Sequence, residues 1–300
     1  MMTTMPDITF GNTADNGSAQ KMRSPTRQAM HRFRKNKLAI IGGVMLVLLI
    51  LLVVIGPMLS GFNPNAISLS EKLQTPSAKH LLGTDALGRD LLTRLMYGGR
   101  ISLAIGLASA ALAMTFGTLV GSIAGYYSKG IDAVLMRLTD LIITIPTLPL
   151  LMVMGSVFKP SPMLLVVMIS VFNWTSTARL VRSRFLVLRT LDYARSARAI
   201  GCKNGRIIFH HLLPNSIGAI IVTATLTVGR AIIFESTLSY LGVGINPPMA
   251  SWGNMLQDAQ RTMNRSPITA IAPGVFILLT VLAINFLGDG LDDAFDPKRL

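Results

Sequence analysis

Charged residues are scarce in this 300-residue chain, at 14%, where soluble proteins usually have about 25%. Hydrophobic residues account for 51%, and the mean hydropathy is +0.53. This balance excludes an ordinary soluble domain and predicts a membrane protein. Cysteine is scarcer still: Cys202 stands alone, which excludes an internal disulfide and a cysteine-rich metal site.

Motifs for catalysis or energy conversion are missing as well. The chain has no Gly-x-x-x-x-Gly-Lys-Ser/Thr phosphate loop, no Gly-x-Ser-x-Gly elbow and no His-x-x-x-His pair. The centres of its apolar runs have no carboxylate or histidine, which proton- and ion-coupled carriers usually need there. We therefore expect no catalytic residue, cofactor or metal site, and we expect a partner to supply energy. An intramembrane enzyme or a signalling receptor is the alternative from another class.

Long apolar runs are what the sequence has instead, and roughly 20 helical residues suffice to cross a bilayer. Six runs qualify: 38–59, 101–127, 134–158, 163–180, 216–234 and 272–288. They predict an all-α integral membrane protein with six transmembrane helices. We expect a partly disordered cytosolic tail over 1–37, an external segment over 60–100, a five-helix core over 101–290 and a cytosolic C-terminus over 291–300.

The net charge of +14 has a topological explanation. Nineteen of the 28 Lys and Arg lie in the N-terminal tail, near the start of the third span, in the 179–215 connection or at the C-terminus. The positive-inside rule therefore predicts that both termini are cytosolic. Because the basic residues flank apolar runs, they indicate contact with a lipid membrane and no nucleic-acid partner.

Glycine and proline mark two of the predicted spans. Gly117, Gly121 and Gly125 recur every four residues, so they share one helix face that another backbone can approach closely. Chance glycine in an apolar run is the alternative. Pro146 and Pro149 interrupt the hydrogen-bond ladder of the third span, which predicts a kink there.

The basic connection over 179–215 is too long and too patterned for a simple turn between spans. Thr190 or Asp192 could cap a helix, and Gly201 suits the positive φ of its C-terminal cap. A second short helix is expected to begin at a capping Asn204 and to end before Pro214, which starts the next span. From physics alone this connection is either a docking surface for a cytosolic protein or an amphipathic interfacial loop.

The same connection resembles the coupling loop of bacterial ABC importer permeases. The family pattern is Glu-Ala-Ala-x-x-x-Gly, nine residues, then Ile-x-Leu-Pro. Four positions match it in spacing: Ala197, Gly201, Leu213 and Pro214. Three depart, because Arg195 replaces Glu, Ser196 replaces Ala and His211 replaces Ile.

Three further stretches resemble one branch of that family. The first covers 82–102 and begins Leu-Gly-Thr-Asp-Ala-Leu-Gly-Arg-Asp. The second covers 235–253 and begins Glu-Ser-Thr-Leu-Ser-Tyr-Leu-Gly. The third is the acidic segment 288–297. They resemble dipeptide, oligopeptide and nickel importer permeases of the C-subunit type, and the resemblance covers roughly residues 30–300.

This resemblance implies a type I ABC importer permease fold with a coupling loop over 181–214. The implied partners are a second permease subunit, two ATPase subunits, an external solute-binding protein and a peptide substrate. A permease for nickel or a metal chelate is the alternative function. The implied ATPase-coupling residues are Tyr193, Ala194, Arg195, Ala197, Arg198, Gly201, Leu213 and Pro214. The implied external or gating residues are Asp85, Arg89, Asp90, Glu235 and Trp252.

Overall fold

A computed structural model of the chain describes residues 30, 32–158 and 160–295, and its regular elements there are helices. Most of the predicted N-terminal tail and residues 296–300 lie outside this part. The principal helices are α1 (Lys37–Leu59), α2 (Leu91–Tyr127), α3 (Lys129–Thr144), α4 (Thr147–Val157), α5 (Pro162–Leu188), α6 (Asp192–Ala199), α7 (Asn204–Tyr240), α8 (Trp252–Ala259) and α9 (Ile268–Phe295).

Five of these helices are long and apolar enough to cross a membrane: α1, α2, α5, α7 and α9. The pair α3–α4 makes a sixth span if it is counted as one. The two helices meet at 79°, and the break falls at Ile145 and Pro146, where proline cannot donate to the helical ladder. The kink predicted in the third span is therefore a sharp break, and the predicted all-α membrane class is confirmed.

Helix boundaries differ from the predicted spans because several helices continue past the apolar run. α2 begins at Leu91 rather than at residue 101, since the Asp90 carboxylate accepts a hydrogen bond from the Thr93 N–H at 2.7 Å and caps the helix. α5 extends to Leu188 and α7 begins at Asn204. Hydropathy marks the part of a helix that can lie in lipid, whereas caps mark where the helix ends.

The C-terminal end of α1 is joined to α2 by a side chain that replaces a lost backbone donor. Pro57 has no N–H, so the Val53 carbonyl four residues before it loses its helical partner. The Arg100 guanidinium supplies that donor: its Nε lies 2.9 Å from the Val53 oxygen, and its Nη2 lies 2.6 Å from the Val54 oxygen. Arg100 thus supplies the hydrogen bond that Pro57 cannot make and joins α1 to α2.

The three glycines of α2 lie directly against α5. A Cβ added at Gly117 or at Gly121 would lie 2.5 Å from a backbone carbonyl oxygen of α5, and one at Gly125 would lie 2.6 Å from the Phe185 Cβ. No side chain fits at those separations. The glycine face therefore lets two helix backbones touch along three turns, as packing between small residues does in membranes.

We expect Gly121→Ala to destabilise the protein by about 1–3 kcal/mol, the usual cost of overpacking a tight contact. The new Cβ would meet the Ala178 carbonyl at 2.5 Å, and a helix backbone cannot yield locally. Gly130→Ala is the matched control, because nothing lies within 4 Å of its Cβ position. Thermal unfolding of the two purified variants in detergent measures the difference, and equal midpoints would contradict the prediction.

Candidate functional site

The loop between α5 and α7 is ordered by a complete C-terminal cap on α6. Gly201 has φ +81, its N–H bonds to the Arg198 carbonyl at 3.0 Å, and the Cys202 N–H bonds to the Ala197 carbonyl at 3.0 Å. This pair of bonds is the Schellman arrangement, which requires a residue with positive φ. Cys202, the lone cysteine, is half-buried and packs on the apolar cluster beneath α6.

The N-terminal side of the loop differs from the prediction. Leu191 occupies the cap position of α6 without a side-chain hydrogen bond, so neither proposed cap is used. Thr190 donates its hydroxyl back to the Val187 carbonyl, and Asp192 is the first helical residue. Asp192 still favours the helix start through its charge, because a carboxylate interacts well with the exposed N–H groups there.

The expected second short helix is wrong, because α7 runs unbroken from Asn204 to Tyr240. Asn204 is its first residue and Lys203 is its cap. Residues Ile207–Leu212 form a wider π-helical turn just before Pro214, and the Asn215 side-chain amide donates to the His211 carbonyl at 2.6 Å. The residues after the cap are thus rigidly part of a membrane-spanning helix.

Two small residues among the predicted ATPase-coupling residues, on α6, face the protein's own helices and not the solvent. Ala194 is fully buried and Ala197 is 5% exposed. Both pack in a cluster with Val181, Phe185 and Leu212 from α5 and α7. Their small size lets α6 lie close to these two helices.

The outward side of the loop carries larger and charged residues. Ile200, which the motif comparison overlooked, is 80% exposed at the tip beside Gly201, and Tyr193 is 38% exposed. Partial burial raises the pKa of Tyr193. Arg195 is exposed, whereas Arg198 donates to the Arg189 carbonyl at 3.2 Å within the loop. At the base of the loop, Leu213 is half-buried against the same cluster and Pro214 is exposed.

The predicted external residues form a buried ionic network instead of an exposed patch. Asp85 accepts from the Arg89 Nε at 2.5 Å and lies 3.6 Å from the Arg94 Nε. Arg89 also donates to Asp258 of α8 at 3.2 Å. Asp258 was not predicted as part of this site, because 169 residues separate it from Arg89. A cavity of about 460 Å³, lined in part by Arg261, adjoins this network.

Asp90 has a structural role in the same region. It caps α2 with one oxygen, and its other oxygen lies 2.9 Å from the Nδ1 of His80. The ring of Phe62 lies over His80 at a centroid distance of 5.0 Å. Asp85, Arg89 and Asp90 are each at least 93% buried, so they support this region from within and are not displayed on its surface.

Glu235, near the C-terminal end of α7, and Trp252, the first residue of α8, are both fully buried. Glu235 accepts from the Ser239 hydroxyl at 2.8 Å, and among the described residues it forms no ion pair with Arg230. Trp252 donates its indole N–H to the Leu95 carbonyl at 3.0 Å, which joins α8 to α2.

These two regions, joined by long apolar helices, define the membrane-spanning component of a transporter that works with other proteins. The family model described as "Binding-protein-dependent transport system inner membrane component" matches residues 117–300. A second, "N-terminal TM domain of oligopeptide transport permease C", matches residues 24–76. The chain belongs to the family of binding-protein-dependent inner membrane transport components.

Curated relatives match nearly the whole chain. The dipeptide transport system permease protein DppC of Alkalihalophilus pseudofirmus is 42% identical, covering 92% of this chain and 90% of that protein. The oligopeptide transport system permease protein OppC of Bacillus subtilis is 37% identical over 99% of both.

A solved structure supports the fold. A chain of the MetNI methionine ABC transporter, in an inward-facing conformation, superposes with a TM-score of 0.56 at 19% identity. The superposition covers 65% of this chain and 93% of the MetNI chain. The shared architecture is the type I ABC importer permease fold.

We expect Asp85→Asn to destabilise the protein by about 3–5 kcal/mol, because it leaves two buried arginines without their shared carboxylate. Lys79→Gln is the control: it removes an ion pair with Glu71 in which the Lys79 side chain is 60% exposed, and such surface pairs contribute little. Thermal unfolding in detergent measures both. An unchanged midpoint for Asp85→Asn would show that the network does not hold the outer surface.

Proposed function

We propose that this chain is one of the two membrane-spanning subunits of an ATP-driven importer for dipeptides or oligopeptides. The observation that carries the proposal is the capped α6–Gly201–α7 loop, whose exposed tip is joined rigidly to two spans. The names of the relatives and the match to the N-terminal domain of an oligopeptide permease favour peptides over nickel.

The proposed assembly contains this chain, a second permease subunit, two cytosolic ATPase subunits and an extracytoplasmic solute-binding protein. The bacterial relatives and the family description support a position in the bacterial plasma membrane. Both termini are proposed to be cytosolic, because basic residues concentrate on that side. Within this arrangement, 1–37 is a cytosolic tail, 60–90 is external, and the cytosolic C-terminus follows α9.

The loop would couple ATP hydrolysis to transport by contact at its tip. Ile200, Tyr193 and Arg195 present an exposed apolar and basic surface to an ATPase. The buried Ala194 and Ala197 fix α6 to α5 and α7, so a push on the tip moves both helices instead of sliding α6. The bundle then alternates between inward-open and outward-open arrangements, a movement of packed bodies between two states.

The outer network would present a stable surface to the binding protein. The links from Asp85 through Arg89 to Asp258 hold the start of α2 against α8. Trp252 joins α8 to α2 beneath it. These residues would contribute to gating by holding neighbouring helices in place, since none of them is exposed enough to make a broad direct contact with the binding protein.

Reconstitution tests the proposed function. The chain is coexpressed with the second permease and the ATPases of the same operon, purified, and placed in liposomes with the binding protein. We expect the ATPases to copurify and labelled dipeptides or oligopeptides to accumulate only with ATP. Accumulation of nickel without peptide would instead establish the alternative, and failure of any ATPase to copurify would refute the assignment.

Gly201→Val should sharply reduce copurification of the ATPases. A β-branched residue is strained at φ +81, so the cap opens and Ile200 moves. Gly205→Val is the matched control, because that position also has nothing within 4 Å but has no positive φ. Normal transport and normal ATPase capture by Gly201→Val would contradict the role of the loop.

A further inference from the structure

Three parts of the coupling region converge on Tyr126, in the last turn of α2. Its hydroxyl donates to the Asn204 Oδ1 at 2.7 Å, at the start of α7. Its backbone carbonyl accepts from the Arg189 Nη1 at 3.1 Å, just past the end of α5. The Arg198 guanidinium of α6 lies over its ring at 5.6 Å. One residue of α2 therefore contacts all three helices that build the loop.

The local sequence explains why Tyr126 lies there. Gly125 lets the α5 backbone approach so closely that a Cβ would lie 2.8 Å from the Arg182 carbonyl. α2 then stops abruptly, because Ser128 and Lys129 adopt positive φ values of 49 and 54. Tyr126 is left with 8% exposure, packed in the same cluster as the buried face of α6.

We propose that Tyr126 transmits movement of the coupling loop to α2, through its hydroxyl bond to Asn204. This inference rests on the proposed function and deepens it. Tyr126 is a positioning residue: it need not touch an ATPase or the transported peptide. Without the hydroxyl bond, α2 keeps its backbone packing on α5, its bond from Arg189 and its contact with Arg198, but it loses its directed link to the start of α7.

The three contacts can be separated experimentally because they use different parts of the residue. The Arg189 bond uses the backbone, and the Arg198 contact uses the ring face. Both persist in Tyr126→Phe, which removes only the hydroxyl. Asn204→Asp keeps an acceptor for that hydroxyl and places a carboxylate in the first turn of α7, where it is favourable. Asn204→Ala removes the acceptor.

The test measures peptide imported per ATP hydrolysed by the complete transporter in liposomes. We expect Tyr126→Phe and Asn204→Ala each to lower this ratio about fivefold, the order set by one hydrogen bond. ATPase copurification and the thermal midpoint should stay near wild type. The double variant should import as much peptide per ATP as either single variant does. Asn204→Asp should import nearly as much peptide per ATP as the wild type. Tyr127→Phe is the control, since that hydroxyl has no hydrogen bond within the described residues.

The proposal is overturned if Tyr126→Phe imports peptide at the wild-type ratio, or if the two single losses multiply in the double variant. It is also overturned if Asn204→Asp behaves like Asn204→Ala. These outcomes leave the wild-type transporter active, so they are distinct from failure of the proposed function, in which the wild-type assembly itself shows no ATP-driven import.

Discussion

The contact between α2 and α5 is the constraint on which the rest of the molecule depends. Where Gly117, Gly121 and Gly125 meet α5, backbone packs on backbone, and no side chain can adjust to fill a change in spacing. The two helices therefore behave as one body. One end of this body carries the capped start of α2 and the arginine that joins it to α1, and the other end carries Tyr126 and the attachment of α6.

Burial gives the motif residues at both ends a shared role. Ala194 and Ala197 below, and Asp85, Arg89 and Asp90 above, are directed into the protein. Buried motif residues of this kind set the shape and stiffness of the surface above them. Neighbours such as Ile200 provide the side chains that are exposed on it. The motif therefore predicts the position of a folded surface more reliably than it predicts which side chains that surface exposes.

Local patterns predicted much of this structure. Apolar runs located the spans, proline located the break before α4, and glycine spacing located the α2 face that packs on α5. The inward direction of α6 was not predictable, because a face of small residues fits a partner or the protein's own helices equally well. Asp258 and Tyr126 were missed because their contacts join residues far apart in sequence, 169 and 78 positions respectively.

The unbroken length of α7 has a mechanical consequence. Its 37 residues extend about 55 Å, whereas the hydrocarbon core of a bilayer is only about 30 Å thick. The helix is therefore nearly twice as long as the apolar layer is thick, and it runs from beside the loop tip to Tyr240, just past Glu235. A tilt of about 10° about one end displaces the other by roughly 10 Å. A tilt of α7 therefore moves its two ends relative to each other by far more than it moves neighbouring residues.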